Sequence, residues 1–139
     1  MKTLRSILII SIMILISGHL IAQKDYQSLL STEGIDISYK WKHSKILKKN
    51  SPLMLFLKLK NSNDYHASVN FTVDYYWQGI RDASSDPKSI CVKANKKMKG
   101  KYRNLAFDRS KFSNEDLFSD KFILEISGIK VQEVTSCKK

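Results

Sequence analysis

The sequence lacks the short motifs that mark catalytic and metal-binding sites. It contains no Gly-x-Ser-x-Gly, no His-Glu-x-x-His and no glycine-rich loop that would cradle a phosphate. His43 and His66 each stand isolated in a polar turn region, without a second ligand at zinc spacing. We therefore predict a protein that is not an enzyme and uses no metal or cofactor. The alternative left open is a small hydrolase whose site is assembled from residues distant in the sequence.

Cysteine is scarce as well. The chain has two, Cys91 and Cys137, separated by 46 positions. A redox-catalytic pair would have the spacing Cys-x-x-Cys, so this spacing argues against redox catalysis. In an oxidising compartment an even pair favours a disulfide, and we predict that these two cysteines form one. The alternative is two independent thiols.

Long apolar runs are absent except for one near the N-terminus. Lys2 and Arg5 precede this run at 7–16, and a small residue, Ala22, follows it. This order is typical of a secretory signal peptide, and about ten apolar residues are half of what a membrane-spanning helix needs. We predict a signal peptide over 1–22, cleavage after Ala22, and an exported protein, periplasmic or secreted, without a transmembrane span. The alternative is an uncleaved anchor that holds the same domain outside the cytoplasm.

Acidic residues are few relative to basic ones. The chain has 13 Asp and Glu against 24 Lys and Arg, a formal charge of +11. The signal peptide holds two of the 24 basic residues, Lys2 and Arg5, and no acid, so the remaining 22 against 13 give +9. Such a charge favours polyanions without specifying one. Outside the cytoplasm these include lipopolysaccharide, acidic glycans and extracellular DNA, and we predict no specific nucleic-acid partner.

The basic residues concentrate in two segments, 93–103 and 40–49, of which the first is predicted to form a hairpin tip with its flanks. If the segments are neighbours, they form one positive surface suited to phosphate or sulfate groups, with Tyr39, Trp41 and Tyr102 nearby. The alternative is that solvated lysines keep edge strands and loops from aggregating. The candidate anion-binding or partner-binding residues are Lys93, Lys96, Lys97, Lys99, Lys101, Arg103, Lys45, Lys48 and Lys49.

Three adjacent aromatic residues, Tyr75, Tyr76 and Trp77, invite a carbohydrate-binding interpretation, because aromatic faces stack on sugar rings. In a strand, however, Tyr75 and Trp77 point to one face and Tyr76 to the other. The face that Tyr75 and Trp77 share is otherwise apolar, so both are assigned to the core. Tyr76 is the candidate for an aromatic surface contact.

Long amphipathic helices are absent, and the mature chain is dominated by alternating apolar and polar residues. Clusters of turn residues separate the alternating runs, and Ser113 is placed to cap one short helical turn near 113–118. The pattern predicts an all-β, antiparallel two-sheet sandwich of about 6–8 short strands. The predicted domain spans 35–139, and a polar leader over 23–34 precedes it.

Two of the alternating strands have apolar positions of one type. These positions are Val69, Phe71, Val73 and Tyr75 in one strand, and Phe122, Leu124 and Ile126 in a later one. They resemble the core strands of the small immunoglobulin- or fibronectin-III-like β-sandwich proteins that Gram-negative bacteria export. The resemblance implies an architecture and not a role, because such folds serve many functions.

These features together favour an exported, non-enzymatic binding module. Its expected partner is another envelope or extracellular protein, or an acidic glycan or lipid head group. The alternative is an inhibitor or immunity-type protein that blocks an enzyme with a basic loop, at 93–103 or 44–51. Salt distinguishes the two hypotheses, because polyanion binding weakens as ionic strength rises, whereas a packed protein interface changes little.

Overall fold

The computed structural model describes residues 25–45 and 48–137, so the predicted signal peptide and the cut after Ala22 lie outside the described residues. The described residues form nine strands, a 3₁₀ turn and a single-turn helix. These are β1 Gln27–Thr32, β2 Ile35–His43, β3 Leu53–Asn61, β4 His66–Trp77, β5 Ile80–Ser84, β6 Lys88–Val92, β7 Lys97–Lys99, the 3₁₀ turn Lys101–Arg103, β8 Ala106–Asp108, α1 Asn114–Leu117 and β9 Phe122–Val134. The predicted all-β, two-sheet antiparallel fold is confirmed. No helix in the described part of the chain is long and apolar enough to cross a membrane.

The first sheet is built on the hairpin of β2 and β3, which pair over their whole length. The odd-numbered residues of β3 from Leu53 to Leu59 are at most 2% exposed, so the even-numbered residues lie on the outer face. β1 pairs with the other edge of β2, and β7 and β8 pair in succession with the other edge of β3. Both β2 and β3 are therefore interior strands.

β1 lies in the segment that the sequence analysis assigned to a polar leader. It is an edge strand in which half of the residues are exposed, and Leu29 and Leu30 are its contribution to the core. A register irregularity between Ser28 and Leu30 obscures the period of two. A two-residue turn at Glu33 and Gly34, with φ of 47° and 73°, then returns the chain into β2. The first sheet therefore begins at Gln27.

The second sheet is centred on β4. β9 pairs with β4 from one end to the other, and β5 and β6 share the opposite edge of β4. Gly128 interrupts the alternating sequence pattern of β9, yet the chain continues through it as one strand with a bulge. Thr72 lies opposite Ser127 and Asn70 opposite Lys130, so β9 contains one more residue than β4 at this point. Gly128 accommodates the bulge with φ of 59°.

The core lies between the inner faces of the two sheets, where Trp41 and the aliphatic residues of β2 and β3 meet the inner residues of β4. Tyr75 is fully buried there, as predicted, and Trp77 packs at the rim with its ring 5.3 Å from that of Phe112. The predicted disulfide is confirmed. It joins Cys91 in β6 to Cys137 beyond the end of β9, and thus spans β4.

The predicted helical turn is also confirmed. Ser113 caps α1, because its hydroxyl accepts a hydrogen bond from the backbone amide of Asp116 at 3.1 Å. The carboxylate of Asp116 accepts in return from the backbone amide of Ser113 at 3.1 Å. Asn114 ties the helix to the first sheet, since its side-chain oxygen accepts from the amide of Leu53 at 3.1 Å.

Candidate anion-binding face

The outer face of the first sheet carries six lysines on three adjacent strands. They lie on the outer face because the residues that alternate with them in β2 and β3 belong to the core. We call this set the lysine face; it consists of Lys40 and Lys42 of β2, Lys58 and Lys60 of β3, and Lys97 and Lys99 of β7.

The register of β3 and β7 places like charges directly opposite one another. Lys58 is paired with Lys99, and Lys60 with Lys97. Cβ atoms in such pairs are about 5 Å apart, and like charges at this distance destabilise the pairing. Of the carboxylates in the described strands, Asp36 is the one beside these pairs, 3.8 Å from the Lys60 ammonium. That contact is exposed and offsets little of the repulsion.

Two aromatic rings hold the lysine side chains close to the sheet. The Lys40 and Lys58 ammonium groups each lie 4.6 Å from the ring centre of Tyr26, and the Lys42 ammonium lies 5.5 Å from that of Phe56. Attraction to the ring faces favours these positions without neutralising the charges. Burial raises the pKa of Tyr26, so its hydroxyl stays neutral at physiological pH and supplies no counter-charge.

The electrostatics of Lys40 reflect this crowding. Its pKa is lowered from the ordinary value, first by desolvation and then by the charges of Lys42, Lys99 and Lys58, while Asp25 acts in the opposite direction. Three cations from three strands therefore act on the same ammonium. An anion bound among them would favour their charged forms and relieve the repulsion.

The two basic segments meet through their strands and not through their loops. Lys97 and Lys99 face the same side as Lys40 and Lys42, as the sequence analysis expected if the segments were neighbours. The residues that bridge them, Lys58 and Lys60, were missed. They occupy the polar positions of an alternating strand, and combining that pattern with the β2–β3 hairpin would have found them.

Most of the remaining predicted cations lie at the two ends of β3. The turn with Lys93 and Lys96 adjoins Asn61, whose amide donates to the Lys96 carbonyl at 2.9 Å. The loop that contains Lys45, Lys48 and Lys49 lies at the other end of β3, beside Leu53. The nine residues of β3 separate these ends by roughly 27 Å, so these two loops do not form one surface. Lys101 and Arg103 are exposed in the 3₁₀ turn between β7 and β8.

The aromatic residues expected near the lysines also differ. Trp41 is buried in the core, and Tyr39 lies on the inner side of β2, where its hydroxyl donates to the Gln27 side chain at 3.0 Å. The side chain of Tyr102 is outside the described part of the structure. The aromatics of the lysine face are Tyr26 and Phe56. Neither was predicted, because Tyr26 lies in the segment 23–34 that was predicted to be a polar leader and Phe56 lies in the leucine-rich β3.

Tyr76, the predicted aromatic contact, lies on the outer face of the second sheet. It is half-buried and pairs with Arg81 of β5 and Ile123 of β9. Desolvation and, after it, the neighbouring carboxylate of Glu125, to which its hydroxyl donates, raise the pKa of Tyr76. It belongs to a different surface from the lysine face.

Asp74 is a buried carboxylate on the same side of the second sheet. It accepts hydrogen bonds from the hydroxyls of Ser127 and Ser84, which lower its pKa in that order of importance. A depressed pKa means that the carboxylate stabilises the fold above its unfolded pKa of about 4, and that this contribution is lost as pH falls through the lower folded value. Asp74→Asn is expected to lower the free energy of unfolding at pH 7 by about 1–2 kcal/mol.

Urea unfolding at several pH values checks this expectation. The difference between the wild type and Asp74→Asn should shrink as the pH is lowered towards 3, because the wild type loses the advantage of its carboxylate. The exposed Asp120→Asn serves as the matched control and should follow the wild type at every pH. A difference that is the same at pH 7 and pH 3 would show that Asp74 acts through shape and not through charge.

His43 and His66, the two histidines in the described part of the chain, both make backbone contacts. Nδ1 of His43 donates to the carbonyl of Ser51 at 2.9 Å, and Nδ1 of His66 accepts from the amide of Ala94 at 3.0 Å. His66 lines an open depression of about 230 Å³ with Glu133. Because its Nδ1 lone pair is engaged and its Nε2 carries the proton, neutral His66 has no lone pair available for a general base. Within residues 25–45 and 48–137, no group of three or more His, Cys, Asp or Glu could hold a metal ion.

Comparison with known proteins identifies no relative. No protein-family model, no curated protein and no solved structure matches this chain.

Proposed function

We propose that the protein is an exported, non-enzymatic binding module that holds an acidic glycan against its lysine face. Export is supported by the order of basic, apolar and small residues over 1–22 and is compatible with the Cys91–Cys137 disulfide. In the space outside the cytoplasm, glycans with carboxylate, phosphate or sulfate groups are abundant polyanions.

The observation that carries the proposal is the direct opposition of lysines in neighbouring strands. The pairs Lys58–Lys99 and Lys60–Lys97 cost stability in the unliganded protein. A third cation lies beside them, because Lys40 and Lys58 share the ring of Tyr26. Lysines that serve solubility are normally interspersed with acids. Repeated like-charge pairs are expected where an anion lies between them.

Protection of sheet edges does not explain the arrangement. Edge strands gain from charged residues because these discourage pairing with another chain. Lys58 and Lys60, however, lie on β3, which is paired on both edges, and Lys40 lies on β2, which is also interior. These three lysines guard no free edge.

The shape of the face favours a polymer over a single small anion. Neighbouring strands are about 4.8 Å apart, and residues on one side of a strand repeat about every 6.8 Å. The lysines therefore form a two-dimensional array on an open sheet surface. Lysine ammoniums act as point charges and do not impose the bidentate geometry of arginine, which suits a ligand whose charges are spaced but not rigidly oriented.

A pair of matched triple variants tests the proposal. Lys40→Ser, Lys58→Ser and Lys99→Ser together remove three charges from the lysine face. Lys45→Ser, Lys48→Ser and Lys49→Ser together remove three charges from the exposed β2–β3 loop. With a sulfated polysaccharide as the probe at low salt, the face variant is expected to bind about 30-fold more weakly, at somewhat under 1 kcal/mol for each contact, and the loop variant less than 3-fold more weakly.

Equal losses in the two triple variants would show that net charge and not the lysine face determines binding, and would refute the proposal. The affinity of the wild type should fall steeply with added salt, because exposed ion contacts are screened. Vesicles with anionic lipids provide a second arm. Binding to vesicles without binding to the free polysaccharide would replace the glycan with a lipid head group.

A further inference from the structure

The longest strand of the protein has a free edge. β9 pairs with β4 along one side, and among the described residues no strand pairs with its other side. Among residues 25–45 and 48–137, no backbone hydrogen bond outside the strand ladders involves residues 123–134. β1, the edge strand of the first sheet, approaches β9 but is not paired with it. Ile123, on the outer face of this edge strand, is 49% exposed. A free edge of this length is a template for another strand.

The bulge at Gly128 changes which residues of β9 face the core. Before the bulge the even-numbered residues Phe122, Leu124 and Ile126 pack against the core, and after it the odd-numbered residues Ile129 and Val131 do so. The inner face therefore changes from even to odd numbers at the middle of the strand. Residues directly opposite each other in an antiparallel pair point to the same side of the sheet. A second β9 strand therefore continues the core-facing row only if even-numbered residues before the bulge lie opposite odd-numbered residues after the bulge of the partner.

A second copy of β9 meets this condition about a two-fold axis between Ser127 and Gly128. In that register residue 125 faces residue 130 of the partner, and 126 faces 129. The apolar inner rows then continue from one copy to the other, since the pairs are Leu124 with the partner's Val131 and Ile126 with the partner's Ile129. The bulge also shifts by one residue the positions whose backbone N–H and C=O groups point to the free edge. In this register those positions in one copy lie opposite the same kind of position in the partner, so the backbone hydrogen bonds can form.

The charges agree with this register. Each Glu125 would lie opposite the partner's Lys130, twice in a symmetric pair, on the outer face of the joined sheet. Within the described part of one copy, neither Glu125 nor Lys130 forms a salt bridge. Glu125 instead lies opposite the like-charged Asp74 of β4, an arrangement that a neighbouring lysine would relieve.

We infer that the protein forms a symmetric homodimer in which the free edges of two β9 strands pair antiparallel about Gly128. The interface is isologous, as in most small homodimers, and joins the second sheets of two copies into one. The inference is independent of the glycan proposal, because β9 belongs to the other sheet from the lysine face.

Charge reversal tests the register. The purified protein, with its disulfide intact, is examined by sedimentation velocity over a range of concentrations. Glu125→Lys and Lys130→Glu are each expected to weaken the dimer about 30-fold, because each converts two attractive pairs into two repulsive ones. The variant that carries both changes restores opposite charges and should regain the wild-type dissociation constant. Lys93→Glu, an exposed reversal on the β6–β7 turn, is the control and should leave it unchanged.

Several results would overturn the inference: a wild type that is monomeric at all concentrations, a dimer that tolerates both single reversals, or a double variant that stays as weak as the singles. Thermal melting of each variant separates loss of pairing from loss of fold. If the wild type is folded, with a cooperative thermal transition, but monomeric, the bulge and Lys130 would instead serve to keep the free edge from pairing with other chains.

Discussion

Reduction of the Cys91–Cys137 disulfide is expected to lower the free energy of unfolding by about 4 kcal/mol. The bond closes a loop with a sequence separation of 46 residues, and the chain-entropy relation for a loop of this size gives that magnitude. Its physical origin is the restricted unfolded chain, since Cys91 is half-buried on the outer face of the second sheet and contributes little to the core. Urea unfolding with and without a reductant measures the difference.

The variant Cys91→Ser with Cys137→Ser serves as the control for the reductant and should match the reduced wild type. The m-value should be larger without the disulfide, because a less restricted unfolded chain exposes more surface. A loss below about 1 kcal/mol would contradict the entropic account. Intact-mass measurement before and after reduction establishes the thiol state in each sample.

Asn61→Asp is expected to cost about 3 kcal/mol, although it changes a single atom. The Asn61 side chain is fully buried, and its Nδ2 donates to the carbonyls of Tyr65 at 2.8 Å and Val92 at 3.0 Å. Its Oδ1 accepts from the amide of Asn63 at 3.0 Å. An aspartate removes both donors and places a carboxylate against two buried carbonyl oxygens, and each loss costs the desolvation of an unpaired group.

Asn63→Asp provides a matched control in the same turn. The Asn63 side chain donates to the carbonyl of Glu33 at 2.9 Å in an exposed setting, so its change to aspartate should cost less than about 1 kcal/mol. Chemical denaturation of both variants gives the comparison. Equal costs for the two substitutions would mean that burial of Asn61 is not the cause.

The strands that the sequence predicted well are those with one buried and one wet face. β2, β3 and β4 alternate with period two because their inner residues form the core. β1 was missed because a register irregularity interrupts its alternation and none of its residues is fully buried, and β7 because three residues are too few to show a period. The bulge at Gly128 is not predictable in the same way, since a sequence does not show whether a glycine ends a strand or forms a bulge within it.

The candidate site was predictable in composition and not in arrangement. Both basic segments were recognised, and Lys97 and Lys99 lie on the lysine face. The pairing of Lys58 with Lys99 depends on which strand lies beside β3, a long-range choice that local patterns do not determine. Lys45 and Lys93, which lie in loops, were grouped with Lys97 and Lys99 because they belong to the same basic segments of the sequence.

The disulfide also determines how the sandwich would bear a pulling force. It attaches Cys137, just beyond β9, to Cys91 of β6 on the far side of β4. Tension applied at the C-terminus would therefore pass through the covalent bond into β6, and β9 would not unzip from β4 one hydrogen bond at a time. The load would fall on the hydrogen bonds between β6 and β4. The mechanical resistance of the oxidised protein would therefore depend on the β4–β6 pairing, which is shorter than the β4–β9 pairing.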